Sequence, residues 1–361
     1  MATNKHLDKN QDILLTLTRA GLWEKGVQLL PYGEIDYSTI YDMAERQGVV
    51  GLVAAGLEHV TDTKIPQVAA LTFAGVTIQM EQRNKAMNQF IAELVEKMRA
   101  ADIYTLLVKG QGVAQCYERP LWRPSGDIDF LLSEEDYKKA VELFKTLYPN
   151  NKNGGQYSKE YAFYTDQWMI ELHGTLRTCL SATIDKEVDA VMKNVFYRGN
   201  VRSWLNGGTQ VFLPAPTEDV FLVFTHFIKH FYKEGMTLRQ VCDWCRLLYT
   251  YRESLDYGKL ESWIRKSGLM GEWKAFGAMA IEYLGFPRDS MPLLNDNDDL
   301  SDSLKHKAER LMAFILGGYF GSKVKDTWQI AKTFSWKVLR YSPSIFLNLN
   351  WLKVKEWLFS R

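Results

Sequence analysis

The stretch that decides the fold is Gly126-Asp127-Ile128-Asp129-Phe130-Leu131-Leu132, in which two carboxylates separated by one apolar residue precede an apolar run. This pattern predicts a short β-strand, whose alternate side chains point to opposite faces. Asp127 and Asp129 therefore share one face, while Ile128 and Phe130 share the other. Two ionised carboxylates on one face repel, and a divalent cation with oxygen ligands, such as Mg2+, removes that repulsion. The alternative is an exposed strand end with two solvated aspartates, so the choice depends on the flanking sequence.

A second strand and a glycine turn precede the acidic stretch. Residues 104–108 read Tyr-Thr-Leu-Leu-Val, and Lys109-Gly110-Gln111-Gly112 leads from them into a helix predicted at 113–117. Where a strand passes through a glycine turn into a helix, backbone N–H groups and the helix dipole favour a bound anion. The turn is therefore a candidate phosphate-binding segment.

A third carboxylate lies on a strand predicted at 168–173, Trp-Met-Ile-Glu-Leu-His. Glu171 and His173 share a face of this strand, so Glu171 can approach the two aspartates from a neighbouring strand. His173 either orients a carboxylate or contacts substrate, or it is a structural histidine beside the site. Arg119 and Arg123 lie between the glycine turn and the acidic strand, and guanidinium groups suit triphosphate oxygens.

These segments together resemble the nucleotidyltransferase superfamily related to DNA polymerase beta. More narrowly, they are similar to uncharacterised bacterial nucleotidyltransferases in which Lys-Gly is followed by Gly-Asp-Ile-Asp. The resemblance covers residues 100–245 and is sharpest over 107–131, where Ser125 and Gly126 immediately precede the acidic pair. It implies that this segment binds a nucleoside triphosphate.

The resemblance also implies roles for individual residues. Gly110 would belong to the turn that grips the nucleotide phosphates, Asp127 and Asp129 would bind two Mg2+ ions, and Glu171 would complete the metal site. The family's usual turn is Gly-Ser or Gly-Gly, whereas this chain has Lys109 followed by Gly110. The turn also stands farther ahead of the acids than in the compact antitoxin-type members.

The predicted fold class is α+β, a small mixed β-sheet flanked by N-terminal and C-terminal helical domains. Apolar residues at helical spacing dominate residues 1–100, which we assign to an N-terminal helical region. Over 101–215 strands alternate with helices, and Asn206-Gly207-Gly208 predicts a hairpin, so this segment forms the nucleotidyltransferase α/β core. Residues 216–361 are predicted to form a C-terminal helical domain that ends in a basic, aromatic tail.

Four polar residues near the start of the C-terminal domain are further candidates for the site. His226 and His230 are four residues apart, a metal-ligand spacing on a helix, but no third ligand follows, so packing or substrate contact is favoured over zinc. This pair, followed by Arg239 and Asp243, also resembles the second-domain pattern of the same bacterial family. The resemblance implies that these side chains face the cleft and bind nucleotide or acceptor. A local ion pair between Arg239 and Asp243 is the alternative.

The composition is that of an ordinary soluble globular protein. Hydrophobic residues make up 46% and charged residues 24%, and the formal net charge of +1 gives no strong nucleic-acid signature. The four cysteines are too scattered for a disulfide framework, and the N-terminal residues lack the apolar core of a signal peptide. We therefore expect a cytoplasmic protein.

The last forty residues, 322–361, differ from the rest of the chain. They carry eight Lys and Arg against two acidic residues, interleaved with Trp, Phe and Tyr. Such a segment either packs on the protein body or a partner, with long basic side chains covering apolar area, or lies on an anionic membrane surface. The sequence favours the first.

The sequence as a whole predicts a metal-dependent nucleotidyltransferase that moves a nucleoside monophosphate from a nucleoside triphosphate to an acceptor hydroxyl and releases pyrophosphate. Two alternatives stay open. One is a non-catalytic nucleotide-sensing or interaction protein that retains the fold. The other is a membrane-surface partner of a polysaccharide assembly system, which only the tail supports. The sequence selects neither the acceptor nor the nucleotide base.

Overall fold

The computed structural model describes residues 7–149, 151, 156–157, 159–233, 235–294 and 301–317. Within these residues the chain forms twelve α-helices and seven β-strands. The helices are α1 (Lys9–Trp23), α2 (Tyr37–Arg46), α3 (Val50–Glu58), α4 (Gln67–Ala100), α5 (Gly110–Ala114), α6 (Glu134–Leu147), α7 (Ala182–Arg198), α8 (Pro216–Lys233), α9 (Leu238–Tyr251), α10 (Tyr257–Lys266), α11 (Met270–Leu284) and α12 (Asp302–Leu316). The strands are β1 (Thr105–Val108), β2 (Asp127–Leu132), β3 (Gln156–Tyr157), β4 (Glu160–Tyr164), β5 (Met169–His173), β6 (Val201–Asn206) and β7 (Thr209–Pro214).

Five of these strands form one mixed sheet in the order β1-β2-β5-β4-β3. β2 is antiparallel to β1 and parallel to β5, and the remaining pairs are antiparallel. The register pairs Asp129 with Val108 on one side and with Glu171 on the other. The sheet therefore sets two carboxylates on adjacent strands at the same level. The predicted α+β class with a small mixed sheet is confirmed.

Strand β2 is buried on both faces. Ile128 and Phe130 are at most 1% exposed and pack in an apolar cluster with α4 and α6, while Asp129, on the opposite face, is 2% exposed. The chain then enters α6 at Ser133, whose hydroxyl accepts a hydrogen bond from the Asp136 backbone N–H, so Ser133 is the N-cap that its sequence position predicts. Burial of Asp129 rules out the simplest alternative, a strand end with two solvated aspartates.

A second and larger core joins helices from both ends of the described chain. It combines apolar residues of α1, α3 and α8 to α12, and its centre holds Phe224, Trp244 and Trp273, whose rings lie 4.7–5.5 Å apart. Helices α1 and α3 approach closely because Gly56 faces the Leu17 carbonyl, which would lie 2.1 Å from an added Cβ. Because one core contains residues of α1 and α3 together with residues of α8 to α12, the helices before the sheet pack directly on those after it.

Within the described ranges no helix is long and apolar enough to cross a bilayer. The tail at 322–361, with its predicted protein or membrane-surface contact, lies outside the described residues.

Candidate active site

Asp129 is the most buried carboxylate of the predicted set. Its Oδ1 atom accepts hydrogen bonds from Lys109 Nζ at 2.8 Å and from His173 Nε2 at 2.7 Å. Burial alone would raise the pKa of Asp129, but the positive charge of Lys109 and the bond from His173 outweigh it and hold the pKa far below its usual range. Asp129 is therefore ionised at neutral pH.

His173 joins Asp129 to Glu171. Its Nε2 atom lies 3.3 Å from Glu171 Oε2 as well as 2.7 Å from Asp129. Burial and the nearby Lys109 charge oppose protonation of His173, yet hydrogen bonds to the two carboxylates prevail and raise its pKa. Asp129, Glu171 and His173 offer ligand atoms that all lie within 4.8 Å of one another. The structure therefore brings the predicted third acid and the histidine into one cluster that can hold a cation.

Asp127 stands at the half-buried edge of this cluster. Repulsion from Asp129 and then burial raise its pKa, and Lys109 only partly offsets them. An additional positive charge between the two aspartates would relieve this repulsion. Carboxylate oxygens suit Mg2+ and Mn2+, so the oxygens of Asp127, Asp129 and Glu171 fit a divalent cation.

The predicted glycine turn has an unusual backbone. Lys109 has φ 57° and ψ −147°, a conformation that residues with a Cβ rarely adopt, and Gly110 follows with φ 35°. α5 then starts at Gly110, three residues earlier than predicted, and has only five residues. The Lys109 side chain contacts Asp129, and such backbone strain is common at functional sites.

Arg123 is held by α9. Its Nε and Nη2 atoms donate to the two carboxylate oxygens of Asp243 at 2.6 and 2.7 Å, and Nη1 donates to Ser125 Oγ at 2.8 Å. Tyr117 donates to the same carboxylate at 2.7 Å. Burial opposes the charge of Arg123, but Asp243 outweighs it and raises the guanidinium pKa. The loop that leads through Gly126 into β2 is therefore anchored to the C-terminal helices.

Arg119 is not part of this cluster. It donates to Glu24 at 2.9 and 3.0 Å and to Glu58 at 2.6 Å, and its guanidinium stacks over Trp122. Arg119 thus joins the loop to α1 and α3, and among the described residues it lies outside the pocket beside the acids.

A pocket of about 150 Å³ lies between the sheet and the helices α8 and α9. Its lining brings together nine of the predicted residues: Lys109, Gly110, Arg123, Asp127, Asp129, His226, His230, Arg239 and Asp243. Glu171 and His173 support Asp129 from beside the pocket, and Ser125 bonds to the loop arginine. The nine predicted lining residues come from two separate stretches of the chain, 109–129 and 226–243, which the tertiary fold brings together.

The α8 wall of the pocket carries the two histidines. His226 Nε2 and His230 Nε2 lie 2.9 Å apart, so one ring donates a hydrogen bond to the other. Burial, then the charge of Lys109 and the neighbouring His230, lower the pKa of His226 well below its usual value. His226 is therefore neutral at pH 7 and can accept or donate a hydrogen bond.

Arg239 is the cation on the α9 wall. Its Nη1 atom donates to the Pro124 carbonyl at 2.8 Å, and its Nε atom is buried and has no hydrogen-bond partner among the described residues. Burial, followed by the charge of Arg123, lowers its pKa, while Asp243 and Asp127 act in the opposite direction. A buried guanidinium without a full set of acceptors is suited to bind an anion that enters the pocket.

The sequence analysis missed several lining residues. Val223 and Phe227 give the α8 wall an apolar part, Val113 and Gln240 complete the lining, and Tyr117 fixes Asp243. Val223 and Phe227 could have been found, because they lie three residues before His226 and His230 respectively, on one helical face. Tyr117 gave no local signal, since its partner is 126 residues away.

The described residues form a mixed α+β fold with a small sheet. A family model described as "Uncharacterised nucleotidyltransferase" matches residues 33–284, and the chain belongs to this family, which confirms the resemblance drawn from the sequence. Among solved structures, the chain is similar to an antigenic nucleotidyltransferase-like protein from Paracoccidioides brasiliensis. That match has 10% identity and a TM-score of 0.33, and it covers 55% of this chain and 92% of the other. Comparison with curated proteins gives no significant match.

Proposed function

We propose that the protein is a metal-dependent nucleotidyltransferase that transfers a nucleoside monophosphate from a nucleoside triphosphate to an acceptor hydroxyl and releases pyrophosphate. The observation that carries this proposal is the buried Asp129, in register with Glu171 and beside Asp127, at a pocket that also contains Lys109 and Arg239. Carboxylates that can bind a cation and basic side chains that can bind phosphate oxygens line the same pocket. Membership of the nucleotidyltransferase family supports the proposal.

Asp127, Asp129 and Glu171 are the residues proposed to hold the divalent cation, with Mg2+ the expected ion and a two-ion site expected from the resemblance. When bound, the cation polarises phosphate oxygens and offsets charge on the departing pyrophosphate. His173 keeps the carboxylates of Asp129 and Glu171 oriented through its two short contacts.

The proposed triphosphate site uses the basic side chains of the pocket. Arg239 offers a buried guanidinium whose Nε has no acceptor among the described residues, and Lys109 offers an ammonium group that lines the pocket. Arg123 donates its N–H groups to Asp243 and to the loop, so it holds the walls of the pocket rather than reaching for the nucleotide. Oriented cationic donors stabilise charge that develops on transferring phosphoryl groups.

The acceptor is proposed to approach along the α8 wall. Val223 and Phe227 provide an apolar surface there, and neutral His226 provides a hydrogen-bond acceptor for a hydroxyl group. The hydroxyl oxygen attacks the α-phosphorus, the bond to the bridging oxygen breaks, and pyrophosphate leaves. The hydroxyl proton passes to the carboxylate of Glu171, which lies beside the pocket.

Isothermal titration with nucleoside triphosphates that cannot be cleaved at the α-phosphate tests this proposal. Wild-type protein should bind a nucleotide only with Mg2+ present, and Asp127→Asn should lose that binding while remaining folded. Asp42→Asn, on the exposed side of α2, is the matched control and should bind as wild type. Unchanged binding in Asp127→Asn would remove the cation assignment.

A nucleotide-sensing protein without turnover is the second candidate. It is favoured by the contact of Lys109 with Asp129, which balances the buried acid without any added cation. Release of pyrophosphate by wild-type protein with a set of hydroxyl-bearing acceptors would exclude this candidate. The membrane-surface role proposed for residues 322–361 stays a prediction.

A further inference from the structure

Lys109 holds the position that a cation would be expected to take. Its Nζ atom lies 2.8 Å from Asp129 Oδ1, and its charge also interacts with Glu171 and Asp127. The ammonium group therefore contacts one carboxylate directly and interacts electrostatically with two more. Lys109 directly follows β1 and has a positive φ of 57°, a backbone conformation that residues with a Cβ rarely adopt.

We propose that Lys109 is a resident counter-cation that keeps divalent metal out of the free site, so that metal and nucleoside triphosphate bind together. This inference rests on the proposed function, because it describes how metal and nucleotide bind to that same site. In the free protein the ammonium group of Lys109 is hydrogen-bonded to the carboxylate of Asp129. When a triphosphate enters, its oxygens give the ammonium a new anionic partner in the pocket, and Asp129 becomes available to the metal.

The two groups that contact Asp129 differ in their freedom to move. The Lys109 side chain is 18% exposed, lines the pocket and ends a flexible chain of four methylene groups. His173 is 4% exposed and lies between Asp129 and Glu171, beside the pocket rather than in it. Only Lys109 can therefore transfer from the acid to an incoming ligand without disturbing the sheet.

The consequence is a positive coupling between metal and nucleotide. The metal should bind weakly to the free protein and more tightly to its nucleotide complex, and the nucleotide should gain affinity by the same factor when metal is present. A shorter or uncharged residue at this position would give a site that binds metal alone.

Binding of Mn2+, followed by its electron paramagnetic resonance signal, tests the proposal on full-length protein. Lys109→Met removes the charge and keeps most of the length of the side chain, Lys109→Arg keeps the charge, and Lys85→Met, 62% exposed on α4, is the matched control. Without nucleotide, Lys109→Met should bind Mn2+ about tenfold or more tightly than wild type. Lys109→Arg and Lys85→Met should bind as weakly as wild type.

The same titrations are repeated with adenosine 5′-(α,β-methylene)triphosphate, or with whichever base binds in the nucleotide panel. Wild type should then show the increase in Mn2+ affinity, and Lys109→Met should show a smaller increase. Adding Asp129→Asn to Lys109→Met should abolish the tight Mn2+ binding, and this loss would place the bound Mn2+ at Asp129. If circular dichroism shows that Lys109→Met does not fold, Lys109→Gln is used in its place.

The outcomes separate the two proposals. If wild type binds Mn2+ together with nucleotide but Lys109→Met or Lys109→Gln binds Mn2+ alone no more tightly than wild type, the counter-cation role of Lys109 is wrong and the proposed function stands. If wild type binds neither Mn2+ nor any nucleotide, both proposals are wrong. Tight Mn2+ binding to Lys109→Met that depends on Asp129 supports the counter-cation role even in a protein without turnover.

Discussion

Replacing Asp243 by Asn tests whether the C-terminal helices hold the loop that precedes the acidic strand. Asp243 receives two hydrogen bonds from Arg123, at 2.6 and 2.7 Å, and one from Tyr117 at 2.7 Å. The side chains of the ion pair are 6% and 9% exposed. The asparagine keeps an oxygen for Tyr117 but cannot neutralise the guanidinium.

The expected loss of stability follows from this geometry. Two unit charges about 4 Å apart interact by about 4 kcal/mol at an effective dielectric constant of about 20. Breaking a buried ion pair by removing one partner typically costs about 3–5 kcal/mol, because the other charge is left without compensation. We therefore expect Asp243→Asn to lower the free energy of unfolding by about 3–5 kcal/mol.

Urea unfolding followed by tryptophan fluorescence measures this change. The double variant Arg123→Met with Asp243→Leu removes both charges and should lose less stability than Asp243→Asn, although Tyr117 then lacks its acceptor. A loss below about 1 kcal/mol in Asp243→Asn would refute the reasoning, because surface ion pairs contribute that little. Equal losses in the single and double variants would show that the contacts, not the charge of Arg123, determine the cost.

Three further predictions concern stability in metal-free buffer. Asp127→Asn should raise the free energy of unfolding by about 0.5–2 kcal/mol, since it removes a repelled carboxylate, and a decrease would contradict this. His226 has a lowered pKa, so below about pH 6.5 the unfolded state binds a proton that the folded state does not, and stability falls by about 1.4 kcal/mol per pH unit. His226→Asn should flatten this part of the pH profile between 7 and 5, whereas parallel profiles would show that the residue titrates normally. Gly56→Ala should lower the free energy of unfolding by about 2 kcal/mol or more, because the added Cβ clashes with the Leu17 carbonyl. Gly75→Ala, in open space on α4, should raise the free energy of unfolding by about 0.5–1 kcal/mol. Similar calorimetric midpoints for the two variants would contradict both expectations.

Local pattern was sufficient for the strands that hold the acids. Alternation along 126–132 and 168–173 placed Asp127, Asp129 and Glu171 correctly on their strands, because side-chain direction in a strand is determined by sequence position alone. The hairpin of β6 and β7 was equally readable, since Gly207 and Gly208 both have positive φ.

Long-range pairing could not be read from the sequence. Arg119 and Arg123 have the same charge and stand in the same short loop, yet one binds Glu24 and the other binds Asp243. Their partners lie 95 and 120 residues away, and only packing of α1 and α9 around the loop decides between them. Lys109 was predicted to lie in a phosphate-binding turn, and nothing local in the sequence shows that its side chain reaches Asp129. Charge and residue type singled out nine residues that line the pocket, but not which of them contact one another.

The two cores described above differ in how soon they can form during synthesis. The core around the sheet uses residues from Met87 to Leu213, so its parts are complete once that stretch has left the ribosome. The helical core contains both Leu14 and Trp273, so it cannot be completed before Trp273 has been synthesised. Trp23 likewise donates a hydrogen bond to the carbonyl of Leu284. Contacts over such separations form slowly, and domains of a nascent chain fold as they emerge. Helices α1 and α3 can therefore bury the apolar surface that faces α11 only after α11 has been synthesised.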